Sequence, residues 1–220
     1  IQRRGKTVDY RMQYDGHHIN EHLWYIDYIK PIIKKLFNKE GNVVKGTTGS
    51  VYIAFRSKAV LTFLHNCCGI PFSPKKKITV PNIIQNSSKT IKANFLRGLA
   101  DTDFSLVFKK GGRYPVISHG TYSRTLHDSL KILLKELNFS YYSGIFDRER
   151  KGTKLKTHMI EICGKKRLQQ WMETVGFSSY NSITRYLVWK ETGRLKPRTN
   201  INDRLKILKE KGINPLNDAP

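Results

Sequence analysis

Apolar and polar positions along this chain follow two periods, and the order in which those periods change recurs. Thr7 to Tyr14 alternates strictly, with Val8, Tyr10, Met12 and Tyr14 on one side and Thr7, Asp9, Arg11 and Gln13 on the other. That pattern predicts a strand with one core face and one wet face, the wet face carrying hydrogen-bonding groups. Asp15 and Gly16 punctuate it. From His18 to Phe37 the period lengthens to that of a helix through Leu23, Ile26, Ile29, Ile33 and Leu36, and Pro31 predicts a kink or a division. After a turn near Gly41, Asn42 to Thr47 and Ser50 to Arg56 read as a hairpin. Ser57 then caps a short helix, Lys58 to Cys68, that stops at Gly69.

The same order returns about 100 residues later, the mark of an internal repeat. Leu106 to Lys110 and Arg113 to His119 predict a hairpin around Gly111 and Gly112. Leu126, Leu130, Leu133, Leu134 and Leu137 line a helix, and Tyr141 to Phe146 with Leu155 to Cys163 form a second hairpin across the charged turn DRERKGTK. The closing helices superpose in detail. SKAVLTFLHNCCGIPF from Ser57 lies over GKKRLQQWMETVGFSS from Gly164, with Leu61 on Leu168, Leu64 on Trp171 and Gly69 on Gly176. Each half of such a duplication needs its neighbour to bury its sheet.

Between the copies, Pro71 to Asn86 is a linker with the basic run Lys75, Lys76 and Lys77 and a stop at Pro81. Asn86, Ser87 or Ser88 can cap the helix that follows. Past the second copy, Tyr180 to Gly193 predicts a helix that docks through Tyr186, Leu187 and Trp189, and Asn202 to Lys211 a short basic one. The expected organisation is a first repeat over residues 1–84, a second over 85–190 and a basic extension over 191–220.

Charge narrows the partners. Forty Lys and Arg stand against 17 Asp and Glu, a formal charge of +23 over 220 residues. Such an excess repels itself in a compact fold, so it serves a polyanion better than it serves the fold, and nucleic acid leads. A membrane partner is disfavoured because the basic residues are spread along the whole length, no apolar run approaches about 18 residues, and no signal-peptide pattern opens the chain. The expected location is intracellular, in the cytoplasm or at the nucleoid, with an organelle as the alternative. Cys67, Cys68 and Cys163 have no CxxC spacing, which argues against a disulfide framework or structural zinc and for small buried side chains in a reducing compartment. His17, His18 and His22 lack a third-ligand pattern such as HExxH, so metal binding by this trio is not expected.

The stretch FLRGLADTDFS, Phe95 to Ser105, concentrates the chemistry. Ile91, Phe95, Leu96 and Leu99 recur at helical spacing among Ala93, Gly98 and Ala100, which predicts a helix packed on more than one side, with another backbone close at Gly98. Asp101 and Asp103 fall where it ends. A helix C-terminus already carries partial negative charge, and a bound cation would remove the penalty of adding two carboxylates.

Leu96 to Phe104, read LRGLADTDF, resembles the signature helix of the LAGLIDADG homing endonucleases. The resemblance covers roughly residues 1–190, and YLVWKETGRLKP is similar to the C-terminal extension of archaeal and related two-repeat members. It implies an α+β fold, a duplicated αββαββα unit whose two pseudo-symmetric halves carry antiparallel, saddle-shaped sheets over the DNA major groove. It further implies that Asp103, at the eighth motif position, is the catalytic acid and metal ligand, with the Thr102 carbonyl as helper and Mg2+ as cofactor. The ninth position, usually Gly, is Phe104 here. Lysine or glutamine near the end of each half's second strand usually organises the water. Those places fall near Gly16, His17 and Tyr122, without an evident lysine.

For DNA binding, the implied base readers are Arg11, Gln13, Lys109, Arg113 and His119, and the implied phosphate contacts are Lys75, Lys76, Lys77, Arg148, Arg150 and Lys154. In the second copy the signature helix precedes the first strand, whereas the sequence opens at Ile1 with none before the first copy. The expectation is that a preceding segment or a second chain supplies that helix and the second acid. The resulting function is site-specific cleavage of double-stranded DNA by metal-dependent phosphodiester hydrolysis, in an enzyme hosted by an intron or intein. The alternative is a DNA- or intron-RNA-binding protein of the same fold that has lost cutting, a maturase or a regulator. A basic RNA-binding or ribosome-associated protein is a third reading from another class.

Overall fold

The computed structural model describes residues 2–4, 7–47, 49–72, 78–150 and 152–215, with only the backbone placed at 2–4, 7–8, 150, 153 and 154. The chain divides into two compact units, Ile1–Pro74 with Ser179–Asn181, and Lys75–Ser178 with Ser182–Pro220.

In the first unit, β1 (Gln2–Arg4) and β2 (Thr7–Asp9) form a small antiparallel ladder, and β3 (Arg11–His17), β4 (Asn42–Lys45) and β5 (Ser50–Arg56) form a sheet in the order β3-β5-β4. The predicted strand at Thr7 to Tyr14 is therefore two strands, and the second runs through Asp15 and Gly16 instead of ending there. Pairing of Gly16 with Val51 and His17 with Ser50 explains this, because a ladder partner outweighs a local turn signal. Met12, Tyr14 and Gly16 oppose buried Phe55, Ile53 and Val51, so Arg11 and Gln13 lie on the other face, as the alternation predicts.

The helical stretch of this unit is α1 (His18–Trp24), a π turn (Tyr25–Ile29) and α2 (Lys30–Phe37). The Lys30 N–H donates to the Tyr25 carbonyl five residues back, one position before Pro31, which has no N–H to give. The expected apolar stripe is corrected here. Leu23, Ile26 and Leu36 are exposed, while Trp24, Tyr25 and Ile33 are buried with Val51, Ile53 and Phe55. Two aromatic rings cover more of the sheet than the leucine stripe would, and they set the buried face. Ser57 caps α3 (Lys58–Asn66), its Oγ accepting from the Val60 N–H at 3.3 Å.

The second unit is larger. A short α4 (Asn82–Gln85) leads to α5 (Lys89–Asp103), and of the three candidate caps it is Ser88 whose Oγ accepts from the Ile91 N–H. Then come β6 (Phe104–Phe108), the single turn α6 (Lys109–Gly112), β7 (Tyr114–Thr121), α7 (Arg124–Glu136), β8 (Tyr142–Arg150), β9 (Thr153–Cys163) and α8 (Lys165–Thr174). The antiparallel sheet has the order β6-β7-β9-β8. Its helix-side face buries Phe104, Leu106, Ile117, His119, His158, Ile160 and Ile162, and Leu96, Leu130, Leu133, Leu134 and Trp171 from α5, α7 and α8 complete one core.

The tail belongs to this core rather than trailing from it. Tyr186 and Leu187 of α9 (Tyr180–Thr192) are buried, and Trp189 stacks on Phe108 with ring centroids 5.5 Å apart. In α10 (Ile201–Glu210), Ile201, Arg204 and Leu208 are buried. Arg204 Nε donates to Thr184 Oγ1 and its Nη1 to the Thr199 carbonyl, and burial holds the guanidinium down to about 10. The cysteines depart from expectation, since Cys67 is exposed and Cys68 and Cys163 are half-buried. Among the described residues no helix is long and apolar enough to cross a membrane.

Candidate active site

The two aspartates at the end of α5 have opposite environments. Asp101 is buried, and its Oδ1 and Oδ2 accept from the Ser178 N–H at 2.9 and 3.1 Å, with the Ser178 hydroxyl donating as well. Those donors offset the penalty of a carboxylate in the last helical turn, so Asp101 needs no cation. Arg97 of the same helix donates through Nε to the Val175 carbonyl, so α5 holds both ends of the loop that follows α8. Asp103 is exposed, at the last position of the helix, and Thr102 Oγ1 lies 2.9 Å from its Oδ2. The same hydroxyl is 3.2 Å from the Leu99 carbonyl and 3.5 Å from that of Gly98, and its single proton serves one of the three at a time.

Phe104 fixes the exit from the helix. Its backbone is extended, its ring is buried, and it lies against His119 at 4.6 Å and Trp171 at 5.8 Å between ring centroids. The bulky residue at the ninth motif position thus leaves the helix with an ordinary negative φ of −97° and anchors the junction in the core. His119 pairs with Phe104 across β6 and β7, and it is only 2% exposed. Burial pulls its imidazole down to about 4, against the opposing pull of nearby Asp103.

The expectation that His119 reads a base edge is therefore corrected. Ile117 and His119 share the helix-side face of β7, and the strand's alternation places Ser118 and Gly120 on the other side. Gly98 is a second correction. A Cβ there would meet nothing within 4 Å, so no described backbone approaches it, and Gly98 lies with exposed Ile91, Asn94 and Thr102 on an open strip of α5.

The remaining candidates are dispersed. Arg11 lies with its guanidinium 5.2 Å from the Tyr52 ring centroid, and Gln13 donates to Asp15 at 2.5 Å, both on the face of the first sheet away from its core. Lys109 Nζ is 3.0 Å from Glu161 Oε1, at the far end of β6 from Asp103 and about 20 Å away along the strand. Arg113 is exposed in the following turn, where its carbonyl accepts from Trp189 Nε1. Arg148 is exposed on β8, while Arg150 and Lys154 have described backbone only, near the end of the β8–β9 hairpin. Lys75, Lys76 and Lys77 lie outside the described residues.

Sequence reasoning overlooked Tyr142, Phe146, Met159 and Glu161 on the face opposite the core. The alternation of Tyr142, Gly144 and Phe146 was the available signal. His18 and His22 meet edge to face at 4.9 Å, but no group of three or more His, Cys, Asp or Glu among the described residues is arranged to hold a metal.

Residues 90–176 match the family described as a LAGLIDADG-like domain, a span that includes α5 with Asp103, the whole four-stranded sheet and α8. That stretch is similar to a LAGLIDADG-like domain. No curated protein matches the chain in sequence. Among solved structures, the homing endonuclease I-DmoI in complex with DNA and Mn is similar at a TM-score of 0.58 and 16% identity, covering 80% of this chain and 85% of that one. Mesophilic variants from the same endonuclease give 0.57 and 13% identity, over 80% of this chain and 79% of theirs. At such identities the likeness shows the fold: mixed α and β, with antiparallel sheets, as in LAGLIDADG homing endonucleases. Within the matched stretch, Asp103 lies at the surface and Asp101 in the core.

Proposed function

We propose that this protein is a site-specific endonuclease of double-stranded DNA, with Asp103 as its catalytic metal ligand. The observation that carries the reading is the division of labour in α5, where Asp101 is consumed by Ser178 and Asp103 is left exposed at the helix end of a LAGLIDADG-like domain. A net charge of +23 supplies the attraction to a polyanion. The similar I-DmoI structures were solved with DNA together with Mn, Mg or Ca, which supports use of a divalent cation, and Mg2+ is the ion we assign.

The residues present fit such an ion. Asp103 offers hard carboxylate oxygens at the surface, and magnesium keeps several waters and takes one or two carboxylates from a protein. When bound, it supplies charge neutralisation at the scissile phosphate and a water acidic enough to attack. Asp103 would hold that cation, with the Thr102 carbonyl available as a further ligand; Thr102 Oγ1 donates to the Asp103 carboxylate, and Phe104 fixes the backbone from which Asp103 projects. A second acid comes from another signature helix docked on the open strip at Gly98, whether from a second chain or from elsewhere in the same protein. In this reading residues 1–84 and 85–190 are the two repeats and 191–220 an extension, and the protein works in the compartment that holds its DNA target.

Magnesium-dependent cleavage of duplex DNA bearing the flanks of the encoding gene tests the proposal. Asp103→Asn should lower cleavage by more than about 100-fold, beyond the loss typical of an outer-shell ligand partner, and leave gel-shift affinity in calcium within about twofold. Equal cutting by both proteins sinks the assignment. Binding without cutting by the wild type, with structured RNA preferred over duplex DNA, would favour a maturase, a reading supported by the absence of lysine at exposed Tyr122.

A further inference from the structure

The face of the second sheet opposite its core changes character from row to row. Strand registers align Ser105, Ser118, Glu161 and Tyr142 across β6, β7, β9 and β8, and they align Gly120, Met159 and Gly144 in the next row. The first row is polar, and its Glu161 receives the Lys109 ammonium. The second row carries no side-chain donor.

Its two glycines leave room that neighbours fill. A Cβ at Gly144 would lie 3.1 Å from the Phe146 ring and 3.2 Å from the Tyr142 ring, so both rings lean over Gly144 from either side along the strand. A Cβ at Gly120 would lie 2.8 Å from the Met159 sulfur. Tyr142 and Phe146 remain 58% and 48% exposed, and β8 is the edge strand of the sheet among the described residues. The result is a soft, polarisable apolar surface on a strongly cationic protein, next to exposed Arg148 on the same strand face.

Resting on the proposed action on duplex DNA, we infer that Tyr142, Phe146 and Met159 form a reader of thymine methyl groups in the target. The C5-methyl of thymine is the apolar feature that base edges offer in the major groove, and Phe-like surfaces are suited to it. Guanine or cytosine set against Phe146 and Met159 would leave their groove-edge acceptors or donor without a partner, at a cost. Charge complementarity commits the surface to DNA rather than to an apolar protein partner, because Arg148 flanks the patch on the same face, Lys109 neutralises Glu161 opposite Tyr142, and the whole chain carries +23. The second half-site of the target is accordingly thymine-rich where β8 and β9 meet it.

The test selects bound sequences from a random duplex pool with the full chain in calcium, then replaces each thymine of the selected site by deoxyuridine. At one or more contiguous positions the loss of the methyl should weaken binding about threefold to fivefold, the scale of one buried carbon. Phe146→Ala and Tyr142→Ala, at exposed positions that do not threaten the fold, should abolish that sensitivity while still binding duplex DNA. If deoxyuridine binds like thymine everywhere, or the variants keep the discrimination, the inference is overturned while duplex binding itself leaves the proposed function standing. Preference for an unpaired strand over the duplex would instead mark the rings as a stacking platform and overturn it. Absence of any duplex binding removes the functional reading together with this one.

Discussion

The two units handle the same problem, one sheet with one apolar face, at different depths. In the first, three strands and the α1–α2 stretch bury Trp24, Tyr25, Ile33, Val51, Ile53 and Phe55, while Leu23, Ile26 and Leu36 stay exposed. In the second, four strands are covered by α5, α7 and α8 and sealed by α9 and α10, with Leu96, Leu130, Leu133, Ile117 and Trp171 at or near zero exposure. The difference teaches what α5 does. It carries the proposed metal ligand, and it also buries Ala93, Leu96 and Ala100 in the second unit's core and holds the loop after α8 through Asp101 and Arg97. The first unit has no helix of that kind among its described residues.

The largest effect that would test this contrast is on stability. Trp171→Ala removes a fully buried ring and should cost about 3–5 kcal/mol in denaturant unfolding, whereas Leu36→Ala, at a 65% exposed position, should stay within about 0.5 kcal/mol. Similar losses for the two would break the distinction. Next in size, Asp101→Ala strands the Ser178 donors and should destabilise by about 1–3 kcal/mol. Asp103→Asn, at the surface, should leave the melting temperature unchanged, which separates the structural acid from the proposed metal ligand.

A pH dependence follows in the second unit. Burial first, then neighbouring His158 and Lys131, hold His127 below the usual histidine range, against the opposing pull of Asp128. The unfolded chain therefore binds a proton in acid that the folded state refuses, so stability is full above pH 6.5 and falls as pH drops below it. His127→Phe should flatten that slope in urea titrations between neutral and mildly acidic pH, and an unchanged slope would refute its buried neutral state. The smallest effect concerns phosphate contacts. Arg148→Ala should reduce the log–log salt dependence of DNA binding by about 0.9, as measured by titration of binding against salt.

Local chemistry was legible in the residues wherever one side chain settles one backbone group. Ser57 and Ser88 each accept from an N–H three residues on, and Gly69 and Gly176 take the positive φ that their positions after a helix C-terminus favour. The motif also located the candidate acid, though the helix-end argument could not divide Asp101 from Asp103, since their difference lies in a partner 77 residues away. The face of β7 that carries His119, the stripe at Leu36 and the burial of Arg204 were misjudged or missed for a related reason. Each depends on which neighbour covers the side chain, and charge or periodicity alone does not name that neighbour.

The order of strands and helices, the caps and the excess of positive charge are determined by the sequence itself, because they rest on interactions within a turn or two of chain or on composition. Tertiary structure alone decided which aspartate is exposed, which side of the second sheet faces away from the core and that Phe146 and Tyr142 lean over Gly144. Those are outcomes of packing between segments distant along the chain, where the burial of one surface fixes what the other is left to do.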